Sequence, residues 1–187
     1  MNIIRFCGLY AKYLIVKIKY RKTVKFNGFT VIYSFSDSCI DFQGGVRINS
    51  APLSNLVGLY QRTIIIARHG GRIEIGENTG ISGSTIYSML QIKIGKNVLI
   101  GGNCKIIDND FHSLMVEKRV PRQKVEDIKK APIFIGDGCF IGANSILLKG
   151  TSIGKNCVVG AGSVVSGKFP DNVIIAGNPA KIIKQNK

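Results

Sequence analysis

The run Asp108-Asn109-Asp110-Phe111-His112 holds groups able to move a proton. An imidazole beside carboxylates suits general acid–base chemistry, because an acid can orient the ring while the ring takes and returns a proton near neutral pH. Only one other histidine exists, His69, in the turn-like run Arg68-His69-Gly70-Gly71 with no acid beside it, so His69 is expected to be structural. Asp110 or Asp108 could fix the tautomer of His112, as could Glu126 or Asp127 further on, and the sequence does not choose among them. Each Asp would serve equally as a turn residue bonding its own backbone. A zinc centre of three histidines is excluded by count, and neither the Cys placement nor the Asp spacing offers a substitute.

The elements that must position His112 follow a six-residue clock. An aliphatic residue recurs every six positions, usually followed by Gly: Ile75-Gly76, Ile81-Ser82, Ile94-Gly95, Ile100-Gly101, Ile135-Gly136, Ile141-Gly142, Ile153-Gly154 and Val159-Gly160. Ile106, Leu147 and Val165 keep the register without the Gly. Four residues after each of the eight starts sits a small residue: Thr79, Thr85, Val98, Cys104, Cys139, Ser145, Cys157 and Ser163. Helices repeat every ~3.6 residues and strands every ~2, so two positions in phase at six fit neither. Each unit reads as one short strand plus a turn, with about three units to a coil and the aliphatic side chains stacked inside it. The predicted fold class is an all-β hexapeptide solenoid. Gly and small residues at the bends avoid Cβ clashes. Cys104, Cys139 and Cys157 fill the small slot and are expected to be buried structural thiols.

The clock stops at the proton-moving cluster. After Ile106 the next unit is due at position 112, which is His112, and the register resumes only at Ile135. Residues 113–132, polar, charged and bracketed by Pro121 and Pro132, are expected to leave the solenoid as a loop, usually a functional feature in a clocked array. One extra residue between Ile81 and Ile94 reads as a bulge. Upstream, Ile40, Val46 and Pro52 hint at an irregular first coil, and Thr63 to Ala67 reads as a strand.

Residues 1–25 differ in kind, with seven Lys or Arg and no acid. Arg5, Lys12 and Lys19 fall on one helical stripe opposite Ile3, Phe6, Tyr10 and Leu14. This segment is expected to be a helix that caps one open end of the solenoid, that lies on anionic lipid, or both. The organisation is therefore a basic amphipathic segment over 1–30, the solenoid over 31–175 and a basic tail over 176–187.

Composition sets wider bounds. In 187 residues, 45% are hydrophobic, which excludes a disordered chain. The apolar runs fall short of the ~20 residues a membrane-spanning helix needs. Charged residues interrupt the N-terminal apolar stretch, and the five Cys are odd in number and scattered, so a reduced cytoplasmic protein with free thiols is expected. The formal charge of +15 calls for an anionic partner. Aromatic residues do not interleave with the basic ones as in a nucleic-acid platform, and no nucleic-acid motif occurs.

Taken together with Ala131-Pro132-Ile133-Phe134-Ile135-Gly136 and the closing Ala176-Gly177-Asn178-Pro179-Ala180-Lys181, these units resemble the hexapeptide-repeat, left-handed β-helix acyltransferases. The likeness is to the maltose and galactoside O-acetyltransferase-like branch found among polysaccharide-biosynthesis enzymes, and it covers residues 40–184. The resemblance implies a left-handed triangular prism and a homotrimer, with acetyl-CoA as donor along the groove between adjacent subunits and no metal. It implies transfer of an acetyl group to a sugar hydroxyl in polysaccharide, O-antigen or capsule biosynthesis; an N-acetyltransferase acting on an amino-sugar nucleotide is the alternative.

The resemblance supports His112 as the general base, and Asp110 beside it is the candidate for a catalytic and acceptor-binding carboxylate. Ser84 falls where galactoside-type enzymes place an acceptor-binding Asn. Ala143 and Ala161 match positions lining coenzyme A, Ser166 falls where relatives often have Thr, and Lys181 and Lys184 stand where relatives often have Arg facing its phosphates. Lys can serve there as a point charge, though not as a bidentate fork.

Overall fold

The spacing of six builds strands mostly of two to five residues that turn at the corners of a triangle. The computed structural model describes residues 14–35, 37–120 and 123–186, and within them the chain winds as an all-β left-handed β-helix. The first coil holds β1 (Val24–Asn27), β2 (Val31–Ser34) and β3 (Cys39–Phe42); the second holds β4 (Val46–Asn49), β5 (Ile64–Ala67) and β6 (Arg72–Ile75). The third holds β7 (Gly80–Ser82), β8 (Thr85–Ser88) and β9 (Gln91–Ile94); the fourth holds β10 (Leu99–Ile100), β11 (Lys105–Ile107) and β12 (Ile133–Ile135). The fifth holds β13 (Phe140–Ile141), β14 (Ile146–Leu147) and β15 (Ser152–Ile153); the sixth holds β16 (Val158–Val159), β17 (Val164–Val165) and β18 (Lys168–Phe169). β19 (Val173–Gly177) and β20 (Ala180–Gln185) follow.

Each coil gives one strand to each of three sheets, and strands of successive coils pair in parallel. The aliphatic clock becomes a column in every sheet. In the first sheet it runs Ile48, Ile81, Ile100, Ile141, Val159, Ile175; in the second Ile65, Ile86, Ile106, Leu147, Val165. These side chains are buried, and each contributes about 1.5–3 kcal/mol by leaving water.

The Gly of each Ile-Gly unit is required less by the bend than by the next coil. A Cβ on Gly76 would stand 2.5 Å from the Gly95 carbonyl, and one on Gly136 would stand 2.6 Å from the Gly154 backbone. The left-handed turn positions belong to Asn78, Asn97 and Asn156 two residues later, a conformation Asn tolerates better than most side chains.

A solenoid leaves two open ends with unpaired strand edges, and both are covered in part here. Over residues 14–19 a short helix puts Val16 against the first coil, and Tyr20 beyond it packs edge-on to Phe42 and donates its hydroxyl to the Ile40 carbonyl at 3.1 Å. Arg5, Lys12, Ile3, Phe6 and Tyr10 of the expected stripe lie outside the described residues. The solenoid begins at Val24, inside the expected 1–30 segment, because Val24 to Asn27 pair in register with Val46 to Asn49. At the other end the expected tail is a strand: β20 folds back antiparallel on β19, covering the last edge.

Two excursions leave the coils. Residues 108–132 leave the corner between the second and third sheets, with a short helix at Val116–Arg119 and a 3-10 turn at Val125–Asp127. Their neck closes earlier than the expected bound of 113, at the antiparallel bridge of Asn109 with Lys130 and the bond from the Ala131 N–H to the Asp108 carbonyl. Residues 50–63 leave the corner between the first and second sheets. That excursion lies over later coils, where Asn103 donates to the Gly58 carbonyl at 2.9 Å and the Tyr60 hydroxyl reaches Asn144. Its tip exposes Leu53 and Leu56.

Candidate active site

His112 stands exposed at the neck of the longer excursion, on the corner between the second and third sheets. Its backbone is clamped from both sides by Gln123, whose amide donates to the Phe111 carbonyl at 2.9 Å and whose carbonyl accepts the Ser113 N–H at 2.6 Å. Arg119 adds a bond to the Ser113 carbonyl, and Phe111, in a left-handed conformation, lays its ring 4.7 Å from that of Tyr87. The excursion therefore aims His112 through groups seven to eleven residues downstream. Sequence reasoning missed Gln123, which carries no charge and sits in no motif.

The four carboxylates left open by the sequence now separate. Asp108 is buried and fully occupied: it accepts the Ser88 hydroxyl and the N–H groups of Met89 and Leu90, at 2.6–2.9 Å, and the Asn109 amide at 3.1 Å. Its task is the extra turn between β8 and β9, where the spacing of thirteen frees two amides. Glu126 is exposed, and Asp127 pairs with Lys118 at 3.3 Å. Asp110 differs from all three. Its Oδ1 accepts Lys149 Nζ at 2.6 Å, while its Oδ2 is buried and without a hydrogen-bond partner among the described residues. Lys149, 39 positions away, reaches the neck from the next coil along the same corner.

Ser84 requires a correction. Its side chain is fully buried; its hydroxyl donates to the Ser82 and Gly101 carbonyls and accepts the Cys104 N–H. With its proton committed and no surface exposed, it is closed to an acceptor. Ser84, rather than Thr85, occupies the small slot of its coil, because this corner is one residue shorter than the clock. The slot has a common purpose: Thr79 donates to Gly95, Cys104 to Gly142, Cys139 to Gly154, Ser145 to Gly160 and Cys157 to Pro170 carbonyls. Burial pushes the Cys104 thiol up and the Cys139 thiol up to about 11, as expected of structural thiols rather than nucleophiles. Burial also lowers Lys105, whose ammonium meets Gln61 of the shorter excursion.

The remaining expected residues fall on other parts of the prism. Ala143 and Ala161 stack in successive coils on the corner between the first and second sheets, the Ala143 carbonyl accepting the Gly162 N–H at 2.9 Å. Ser166 is exposed on the His112 corner, two coils below. Lys181 and Lys184 are exposed on β20. His69 occupies a left-handed turn after β5, also on the His112 corner. Among the described residues no three His, Cys, Asp or Glu converge as a metal site.

Residues 91–107 and 132–166 match the family described as the hexapeptide repeat of succinyl-transferase, the gap falling on the longer excursion. The galactoside O-acetyltransferase of Escherichia coli K12 is 35% identical over 118 residues, 63% of this chain and 56% of that protein. A crystal structure of a maltose O-acetyltransferase from Clostridium difficile 630 superposes with a TM-score of 0.56 and 32% identity over 66% of this chain and 64% of that one. Over its solenoid the chain is similar to hexapeptide-repeat acetyltransferases. A galactoside acetyltransferase solved in complex with coenzyme A shares the fold of this chain, with a TM-score of 0.58 at 24% identity over 96% of this chain and 83% of that one. The hexapeptide-repeat chain spans about half the length of the curated relatives it matches, 49%, 58% and 53% of the first three.

Proposed function

We propose that this chain is an acetyl-CoA-dependent O-acetyltransferase that acts on a sugar hydroxyl in polysaccharide, O-antigen or capsule biosynthesis. The observation that carries the reading is the neck: an exposed imidazole on a clamped backbone, two residues from a carboxylate with one oxygen unbonded. Acetyl-CoA supplies a thioester carbon open to attack. His112 takes the proton of the acceptor hydroxyl as its oxygen bonds to that carbon, and returns the proton to the departing thiolate. Asp110 Oδ2 is the acceptor that would hold the imidazole N–H and fix the tautomer, with Lys149 positioning the carboxylate from its other oxygen. Backbone N–H groups would stabilise the oxyanion.

The partition of residues between corners supports a homotrimer. Ala143 and Ala161 lie on one corner, His112 and Ser166 on the next, and the width of the second sheet separates them within one chain. A groove between subunits joins the first corner of one copy to the second corner of its neighbour. The small side chains of Ala143 and Ala161 leave room there for a pantetheine arm, and the exposed Lys181 and Lys184 suit its phosphates. Free rather than paired Cys39, Cys104, Cys139 and Cys157 accord with the cytoplasm. Peripheral membrane contact accords with the helix over 14–19, where Leu14, Ile15 and Ile18 point outward, 41%, 65% and 65% exposed. Among the described residues no helix is long and apolar enough to cross a membrane.

The test is release of the coenzyme A thiol with a panel of sugar and sugar-nucleotide acceptors. His112→Ala should lower turnover by about 10²–10⁴-fold with an unchanged unfolding midpoint. Full turnover by that variant with every acceptor would remove the assignment, and a product stable to mild base would mean an amine acceptor. Sedimentation with phosphatidylglycerol vesicles should carry the wild type down and leave Ile15→Glu/Ile18→Glu in solution; equal sedimentation of both would remove the membrane contact.

A further inference from the structure

Among the described residues, two buried side-chain polar atoms lack a hydrogen-bond partner: Asp110 Oδ2 at the neck and Arg68 Nε. Arg68 follows β5 directly and therefore sits on the same corner as Asp110 and His112, two coils nearer the N-terminal end. Two coil spacings are about 10 Å, a span a short saccharide covers. The Arg68 guanidinium lies 4.5 Å over the Phe35 ring and makes no ion pair among the described residues, although its charge is partly withdrawn from water. Desolvating a cation without an anion is unfavourable, so such a group is expected to meet an anionic ligand.

The space beside Arg68 is a groove of about 280 Å³ lined by Val16, Tyr33, Phe35, Ile66, Arg68 and Tyr87, with Phe29 and the β2 backbone completing it. Aromatic faces beside a polar anchor suit a sugar ring, whose C–H faces stack while its hydroxyls stay hydrated. The groove borders the catalytic neck at Tyr87, which lines it and packs on Phe111, the residue before His112.

We infer that this groove is the acceptor subsite, and that it takes a saccharide bearing an anionic group, carboxylate or phosphate, which Arg68 pairs while the ring to be acetylated extends past Tyr87 to His112. Arg rather than Lys is the apt residue, since its planar fork can stack on Phe35 and still offer N–H groups to two oxygens. The inference rests on the acetyltransferase reading and adds the charge class of the acceptor to it.

Three oligosaccharide acceptors of matched length separate the possibilities: one ending in a hexuronate, one in a sugar phosphate and one neutral. Wild type should favour one or both anionic acceptors, and whichever it favours names the source of the charge. Arg68→Gln should raise KM for that acceptor about ten- to a hundredfold, the loss expected for one charge-assisted pair of hydrogen bonds. Its KM for the neutral acceptor should rise far less, since only the charge pairing is lost. Arg68→Lys should recover part of the affinity, and Tyr87→Ala should weaken all three acceptors alike. Equal effects of Arg68→Gln on neutral and anionic acceptors, or a wild-type preference for the neutral one, would overturn the subsite while leaving acetyl transfer intact. Absence of His112-dependent transfer to any acceptor would overturn the acetyltransferase reading itself.

Discussion

The regular wall of the prism and the neck of its longer excursion treat polar groups in opposite ways. In the wall, Thr79, Ser84, Cys104, Cys139, Ser145 and Cys157 each donate to a carbonyl of the next coil. At the neck and along its corner, Asp110 Oδ2 and Arg68 Nε are buried without partners among the described residues, and His112 is exposed. A buried polar atom left unbonded is costly, so structures retain such atoms mainly where a ligand completes them. The comparison teaches where to look on a solenoid: away from the clocked wall, at the corner where the bonding is incomplete.

That contrast can be broken by substitution. Ile141→Ala opens a cavity in the middle of the first column and should cost about 2–5 kcal/mol in denaturant unfolding, the largest effect on stability, with turnover per folded molecule retained. Loss of turnover without loss of stability would show that the wall takes part in the chemistry. Ser84→Ala comes next: it orphans the Cys104 N–H and should cost about 1–3 kcal/mol while leaving the acceptor KM unchanged. A selective rise in that KM would return Ser84 to the acceptor site. Smallest should be Gln123→Ala, in which the His112 backbone loses its clamp; kcat is expected to fall about tenfold, equivalent to about 1.4 kcal/mol, with the unfolding midpoint nearly unmoved. The reverse pattern, a lower midpoint with normal kcat, would make Gln123 part of the wall.

The columns were legible because a buried aliphatic every six residues leaves a mark that no other element makes. The break at His112 was legible for the same reason, as a missing beat in the clock. Ser84 was misread because the coil that contains it is one residue short at one corner and long at the next, and the count from Ile81 pointed to Thr85 instead. Asp108 and Asp110 looked alike in sequence and separated only when the turn at Met89 and Leu90 claimed the first. Lys149 and Gln123 left no signal, since their partners come from another coil or from across the excursion. The excursion over 50–63 was likewise hidden, with no clock upstream against which its length would stand out.

By itself the sequence determined the solenoid, its internal columns, its buried thiols and the place where the coil opens, because burial every six residues is a local demand repeated along the chain. Only the tertiary structure decided which carboxylate keeps a free oxygen, which hydroxyl is already bonded, and that Arg68 shares a corner with His112. Those are properties of stacking: residues about twenty or forty positions apart become neighbours when coils about 4.8 Å apart pile one on another, and nothing in their local sequence records it.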